Sequence, residues 1–187
     1  FGKNFDYIIR KNEKGLSSAI VYGINSFIGD IYIITDADIQ YDLKVIPEMI
    51  NIAVKNKKDI VIADRIKNIN DTQWKKSYKY KLSRFGFNLV KFLTKKNLPN
   101  DILSGFFLIK KKFYNNIKSN LSIIGFKILL DIFLSSKQTV NYGEIYSEFK
   151  SREIGESKMD FKVLCDFIFM IFHKIIPINK SLSRFLI

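Results

Sequence analysis

Residues 31–40 read IYIITDADIQ, an apolar run that two aspartates and a glutamine follow at once. β-Branched and aromatic residues favour strands, so positions 31–35 predict a buried strand that stops at Asp36. Ligands of open α/β sheets bind beyond the carboxyl ends of the strands. Asp36, Asp38 and Gln40 therefore stand where such a protein would place a binding site.

The segments around this strand alternate between strand-like and helix-like patterns. Residues 15–26 and 42–54 carry apolar positions at helical spacing, and Asp42 is placed to cap the second helix. The remaining predictions are strands at 6–9, 59–63, 106–109 and 140–149, and helices at 110–117 and 126–134. This alternation predicts an α/β protein built on a layered sheet.

The oxygen atoms of Asp36, Asp38 and Gln40 suggest what could bind after the first buried strand. Two carboxylates and an amide oxygen form a hard donor set, which suits Mg²⁺ or Mn²⁺ with substrate phosphates in the remaining octahedral positions. Such an ion would neutralise charge on a departing diphosphate. The alternative is an ordinary acidic turn, which often follows a strand.

Composition narrows the possible chemistry. The chain has 187 residues and is 47% hydrophobic, which is enough for one domain with a core. Its 31 Lys and Arg exceed its 18 Asp and Glu, giving a net charge of +13 that would attract phosphates. A compositional bias towards lysine explains part of this excess. One histidine and one cysteine leave little material for a Ser-His-Asp site, a multi-histidine zinc site or a disulfide.

Nucleic acid is not expected as a partner, because no block of Lys and Arg, zinc finger or RNA-binding aromatic signature is present. Residues 74–93 and 161–176 instead combine an apolar, aromatic stripe with lysines and arginines. Such segments are typical of helices that lie on an anionic membrane. Packing against the protein core is the alternative interpretation for the first of them.

Four separate stretches, in this order, carry a family resemblance. They are KGLSSA at 14–19, which runs on through Gly29 and Asp30 to DADIQ at 36–40; DIV at 59–61 with Asp64 and Arg65; DILSGF at 101–106; and REIGESK at 152–158. Together they resemble the dolichyl-phosphate mannosyltransferase group of family 2 glycosyltransferases. The resemblance covers nearly the whole chain.

The resemblance implies a fold and a division of the chain. The expected fold is an α/β sandwich of the Rossmann-like GT-A type, with a central mixed, mostly parallel sheet and amphipathic membrane-interface helices. Residues 1–160 would form most of the transferase domain, and its N-terminal strand would lie upstream of Phe1. Residues 161–187 would form an interface helix and the start of a truncated membrane segment.

The resemblance also implies roles for particular residues. Asp36, Asp38 and Gln40 would hold the divalent metal, Mg²⁺ or Mn²⁺. The residues expected to contact donor or acceptor phosphate are Asp36, Arg65, Arg84, Ser104, Gly105, Arg152 and Lys158, of which Ser104 and Gly105 would line the sugar and acceptor pocket. Asp38, Arg65 and Arg152 are the expected catalytic residues.

The function that this group implies is inverting transfer of a sugar, with mannose from GDP-mannose as the first choice, to dolichyl or polyprenyl phosphate. The protein would be membrane-associated on the cytoplasmic face, against an anionic surface. One alternative is a polyprenyl-phosphate glucosyltransferase or another family 2 enzyme that uses a UDP-sugar. A further alternative is a basic module that binds membrane or nucleic acid without catalysis.

Overall fold

The computed structural model of the protein describes residues 6–11, 15–38, 40–65, 88, 90–92, 94, 96–123, 127–148, 171 and 174. The helices in this part of the chain are α1 (Leu16–Ser26), α2 (Ile46–Lys55), α3 (Lys111–Ile117) and α4 (Ile128–Ser135). The strands are β1 (Ile31–Ile34), β2 (Ile60–Asp64), β3 (Phe107–Lys110) and β4 (Tyr142–Tyr146). Short 3₁₀ turns at Leu43–Val45 and Lys118–Asn120 precede α2 and follow α3.

The start of α2 follows from local chemistry. The side chain of Asp42 accepts a hydrogen bond of 3.0 Å from the backbone N–H of Lys44, so Asp42 caps the 3₁₀ turn Leu43–Val45 and not, as predicted, α2 itself. This cap begins a 3₁₀ turn that leads directly into α2, where Pro47 occupies the first turn and needs no N–H partner. Met49 and Ala53, four residues apart, are fully buried on the face that meets the sheet.

The sheet has four strands in the order β1-β3-β2-β4. β3 runs antiparallel to both β1 and β2, whereas β2 and β4 are parallel. The predicted α/β fold with a mixed sheet is confirmed, but the expected majority of parallel pairings is wrong for the described strands. The reason is that β3 lies between β1 and β2 and reverses direction, although the other three strands point the same way.

Two apolar clusters cover the two faces of the sheet. Alternate side chains of β2 point to opposite faces, so Ile60 and Ile62 join one cluster while Val61 and Ala63 join the other. The first cluster packs against α1, α3 and α4, and the second packs against α2. β2 is buried along its whole length because it is an interior strand with helices on both sides.

The predicted strand at residues 6–9 is not formed. This stretch has no regular secondary structure and pairs with no strand among the residues that the structure describes, and Tyr7 and Ile9 are 72% and 73% exposed. A short apolar run becomes a strand only where a neighbouring strand accepts its hydrogen bonds.

Two lysines hold the C-terminal end of α4. The ammonium of Lys96 donates hydrogen bonds of 2.6 to 3.0 Å to the carbonyl groups of Phe133, Leu134 and Ser136. Lys174 forms an ion pair of 3.0 Å with the buried carboxylate of Asp131. Lys96 thus supplies donors to carbonyl groups at the end of α4. Lys174 adds a charge to a carboxylate that also accepts hydrogen bonds from the N–H groups of Ser122 and Ile123 and from the Ser135 hydroxyl.

Parts of the two amphipathic segments are described. In the first, Val90 is buried in the core and Phe92 is 79% exposed. In the second, Ile171 packs against the core and Lys174 pairs with Asp131, so these two positions contact the domain. The other residues of 161–176, and most of 74–93, lie outside the described residues. Within the described part, no helix has both the length and the hydropathy to cross a bilayer.

Candidate functional site

The candidate site lies at one edge of the sheet, where three chain segments meet. Asp36 follows the end of β1, and Arg65 follows the end of β2 directly. Phe107, the first residue of the antiparallel β3, pairs with Ile34 and Ile62, so the 101–106 loop reaches the same edge. The sheet topology therefore brings together residues that are separated by up to about seventy positions in sequence.

Gly105 packs directly against the carboxylate of Asp36. A Cβ atom built on Gly105 would lie 2.4 Å from Oδ2 of Asp36, closer than real Cβ atoms approach a neighbour, and 3.0 Å from its Cγ. Glycine is thus the residue that permits this contact, because any side chain would occupy the position of the carboxylate. The structure brings together two of the predicted site residues.

Tyr41 holds Gly105 in this position. The backbone N–H of Gly105 donates a hydrogen bond of 3.0 Å to the Tyr41 hydroxyl, and the Tyr41 ring packs edge-on against Phe106 with 5.2 Å between ring centres. Burial raises the pKa of the Tyr41 hydroxyl, so it stays protonated. Sequence reasoning missed Tyr41, whose only signal was its place directly after the acidic motif.

Ser104 anchors the 101–106 loop to the neighbouring strand β2. Its buried hydroxyl lies 2.9 Å from the carbonyl oxygen of Ala63 in β2 and accepts a hydrogen bond of 3.2 Å from the N–H of Phe106. The hydroxyl also lies 3.4 Å from that of Tyr41. These contacts tie the loop to β2, which is a scaffold role that the sequence did not reveal.

Arg65 forms a bidentate ion pair with Asp101. Its Nε and Nη2 atoms donate hydrogen bonds of 2.7 and 2.8 Å to the two carboxylate oxygens, and its backbone N–H donates one of 3.2 Å. The guanidinium also lies 5.9 Å from the centre of the Tyr41 ring. Burial lowers the pKa of Arg65, but the hydrogen bonds and charge of Asp101 outweigh this effect and raise the pKa overall.

Asp101 belongs to one of the family-like stretches, but no role was predicted for it. It is 2% exposed, and the structure shows that it compensates the charge of Arg65 and joins the 101–106 loop to the end of β2. Arg65 and Asp101 are 36 positions apart in the sequence, so only the arrangement of the sheet brings the arginine and the carboxylate into contact.

We expect Asp101→Asn to destabilise the fold by about 2 kcal/mol, because Arg65 would lose a charged partner in a site with little water. The free energy of unfolding by urea, compared with the unsubstituted protein, measures this effect. The matched control is Asp30→Asn, which changes an exposed aspartate at the opposite end of β1 and should alter stability by less than about 0.5 kcal/mol. Equal unfolding curves for both variants would show that the ion pair contributes no net stability.

Lys127, like Tyr41 and Asp101, was not identified from the sequence. It directly precedes α4, is half-buried, and interacts electrostatically with Arg65, Asp101 and Asp36. Burial lowers the pKa of the Lys127 ammonium and the positive charge of Arg65 lowers it further, while Asp101 and Asp36 raise it. In the sequence, the one feature that could have indicated Lys127 is its position directly before a mostly apolar helical segment.

For the remaining predicted site residues, the structure gives either the exposure of the side chain alone or no description. Asp38 is exposed and Gln40 is 8% exposed, both on the segment that follows β1. Among the described residues, no group of three or more His, Cys, Asp or Glu side chains is placed to hold a metal ion. Arg84, Arg152 and Lys158 lie outside the described residues.

Comparisons with a family model and with individual known proteins all match glycosyltransferases. Residues 1–117 match the family model described as Glycosyl transferase family 2. Over 163 residues the chain is 34% identical to a dolichol-phosphate mannosyltransferase of Pyrococcus furiosus, covering 86% of this chain and 45% of that protein. Proteins with the same description from Mycosarcoma maydis and Saccharomyces cerevisiae are 31% and 28% identical, each over 89% of this chain.

The chain spans about half the length of the curated relatives that it matches, between 45% and 63%. The matched region contains Asp36, Asp38, Gln40 and Arg65, together with the 101–106 loop.

Proposed function

The chain belongs to glycosyl transferase family 2, and from that premise we propose that the protein transfers a sugar from a nucleotide-sugar to dolichyl or polyprenyl phosphate. The observation that carries the proposal is the contact between Asp36 and Gly105 at the sheet edge, beside the charges of Arg65, Asp101 and Lys127. The relatives described as dolichol-phosphate mannosyltransferases favour mannose as the sugar. We propose GDP-mannose as the donor.

Asp36, Asp38 and Gln40 would hold Mg²⁺ or Mn²⁺. Their oxygen atoms are the ligands that these ions prefer, and the missing Cβ of Gly105 leaves the Asp36 carboxylate at the sheet edge. Mg²⁺ is usually held by one or two protein carboxylates together with substrate phosphates, so these three side chains would suffice to hold the ion beside the donor. When bound, the ion would neutralise charge on the leaving diphosphate.

The remaining chemistry needs few protein groups. The second ionisation of a phosphate monoester has a pKa of about 6, so the acceptor oxygen is already an anion at neutral pH and needs no general base. Direct attack of this oxygen on the anomeric carbon, as the nucleoside diphosphate leaves, inverts the configuration. The protein then acts by orienting the two substrates and by balancing their charges.

The net charge of +13 supports an acceptor that is presented at an anionic surface, because each Lys or Arg close to such a surface contributes about 1 kcal/mol of binding. We therefore place the protein at the cytoplasmic face of a membrane, where it would meet both a soluble nucleotide-sugar and a lipid phosphate.

A donor screen with the full-length protein tests this function. Radiolabelled GDP-mannose, UDP-glucose and UDP-N-acetylglucosamine are each incubated with dolichyl phosphate or with dolichol, in the presence of Mn²⁺ or of EDTA. We expect label in lipid only with GDP-mannose, dolichyl phosphate and Mn²⁺ together. Label from a UDP-sugar would replace the donor assignment, and no transfer from any donor would reject the proposed function.

A further inference from the structure

The Tyr41 hydroxyl joins three chain segments at the candidate site. Tyr41 directly follows the proposed metal ligands in the sequence, and its side chain is 4% exposed. The hydroxyl accepts the 3.0 Å hydrogen bond from the N–H of Gly105. It also lies 3.4 Å from the Ser104 hydroxyl, which donates to the carbonyl oxygen of Ala63 in β2, 2.9 Å away. The segment after β1, the loop that contains Gly105 and β2 therefore meet at one buried oxygen atom.

The hydrogen bonds at this oxygen have a consistent direction. The N–H of Gly105 can only donate, so it uses a lone pair of the Tyr41 oxygen and leaves the hydroxyl proton for the Ser104 oxygen. The Ser104 proton in turn points to the backbone of β2. A phenylalanine at position 41 would keep the ring but would remove the acceptor of Gly105 from a part-buried site.

The backbone of Gly105 limits where the Asp36 carboxylate can lie. A Cβ added at Gly105 would lie 2.4 Å from Oδ2 and 3.2 Å from Oδ1 of Asp36, so the carboxylate packs against the glycine backbone itself. Closely packed groups move together, because a gap between them forfeits their contact energy. A shift of Gly105 would therefore change the orientation of the carboxylate.

We propose that Tyr41 is a positioning residue for the divalent ion: its hydroxyl holds Gly105, and Gly105 sets the orientation of the Asp36 carboxylate toward the ion. The inference rests on the proposed function and adds to it a residue that acts on metal binding without being a ligand. Groups that orient metal ligands in this way typically contribute about tenfold to hundredfold to metal affinity or activity.

The test is the Tyr41→Phe variant of the full-length protein, which keeps the ring that packs against Phe106. Binding of Mn²⁺, alone and then with GDP, is measured from the electron paramagnetic resonance signal of the free ion. We expect Tyr41→Phe to raise the Kd of Mn²⁺ about tenfold to hundredfold. Sugar transfer should accordingly fall more at limiting Mn²⁺ than at saturating Mn²⁺.

Tyr114→Phe is the matched control. Tyr114 is 2% exposed, belongs to the apolar cluster on the opposite face of the sheet, and donates a hydrogen bond of 3.2 Å to Asn25. Each variant deletes one buried hydroxyl that has a hydrogen-bond partner, so urea unfolding should show a loss of stability in both. Only Tyr41→Phe should change the Kd of Mn²⁺. Should Tyr41→Phe fail to fold, Ser104→Ala takes its place, because it removes the oxygen that links Tyr41 to β2.

Each outcome decides the proposal. A higher Kd of Mn²⁺ in Tyr41→Phe, with an unchanged Kd in Tyr114→Phe, supports it. An unchanged Kd in Tyr41→Phe, or an equal rise in both variants, would show that the Tyr41 hydroxyl contributes stability alone, and would overturn the proposal. If the unsubstituted protein binds no Mn²⁺, the inference fails together with the proposed metal site. If Mn²⁺ binding depends on Tyr41 but the unsubstituted protein moves no sugar, the inference stands and the proposed function fails.

Discussion

Asp38→Ala is expected to lower sugar transfer by the full-length protein about a thousandfold, while the protein still folds. A divalent ion that stabilises a leaving diphosphate contributes several kcal/mol in the transition state, and loss of one of the two proposed carboxylate ligands would remove much of this. Asp38 is exposed, so its truncation should change the free energy of unfolding by less than about 1 kcal/mol. Initial rates at saturating GDP-mannose, together with urea unfolding, measure the two effects separately.

The control for this prediction is Asp30→Ala, an exposed aspartate at the far end of β1 that should leave the rate unchanged. A titration with Mn²⁺ adds a second readout, because a weakened metal site should require a higher concentration of the ion for half-maximal rate. Full activity of Asp38→Ala at ordinary Mn²⁺ concentrations would reject the metal role of this residue.

Gly105→Ala is expected to lower sugar transfer about a hundredfold. The added Cβ would lie 2.4 Å from Oδ2 of Asp36, so either the carboxylate moves or the loop shifts and strains the hydrogen bond between Gly105 and Tyr41. A displacement of about 1 Å in a group that positions a substrate costs about a hundredfold in rate. The rate of transfer and the Mn²⁺ requirement are the measurements.

Gly23→Ala supplies a matched control for the glycine substitution. Gly23 lies within α1, and a Cβ added there would meet no atom within 4 Å. Alanine in a helix interior is more stable than glycine by about 0.5 to 1 kcal/mol, so this variant should gain stability and keep its activity. Unimpaired transfer by Gly105→Ala would mean that the contact with Asp36 does not orient the substrates.

The positions of most helices and strands could be predicted from local sequence. The apolar runs at β1 and β2 predicted boundaries within one residue of those observed, whereas the predicted second helix began four residues before α2 and ended one residue before the end of α2. The strand predicted at residues 6–9 is wrong because a strand needs a neighbouring strand for its hydrogen bonds, and local sequence does not specify that neighbour.

The candidate site was predictable only in part. Asp36 and Gly105 were both identified, since a chemical motif and a family-like stretch mark them, but their direct contact required the structure. Tyr41 and Lys127 were missed, because an isolated tyrosine or lysine has no distinctive pattern in sequence. Arg65 was expected to face phosphate, and its pairing with Asp101 became visible only when the loop was seen against β2.

The sequence by itself determined the α/β class, the strand that precedes Asp36 and the order of the family-like stretches, because these depend on the chemistry of neighbouring residues. Only the tertiary structure decided that β3 enters between β1 and β2 in the opposite direction. That reversal sets the 101–106 loop beside Asp36, where Gly105 leaves room for the carboxylate and Asp101 neutralises Arg65. Contacts between distant segments depend on strand order and direction, which no local pattern of residues encodes.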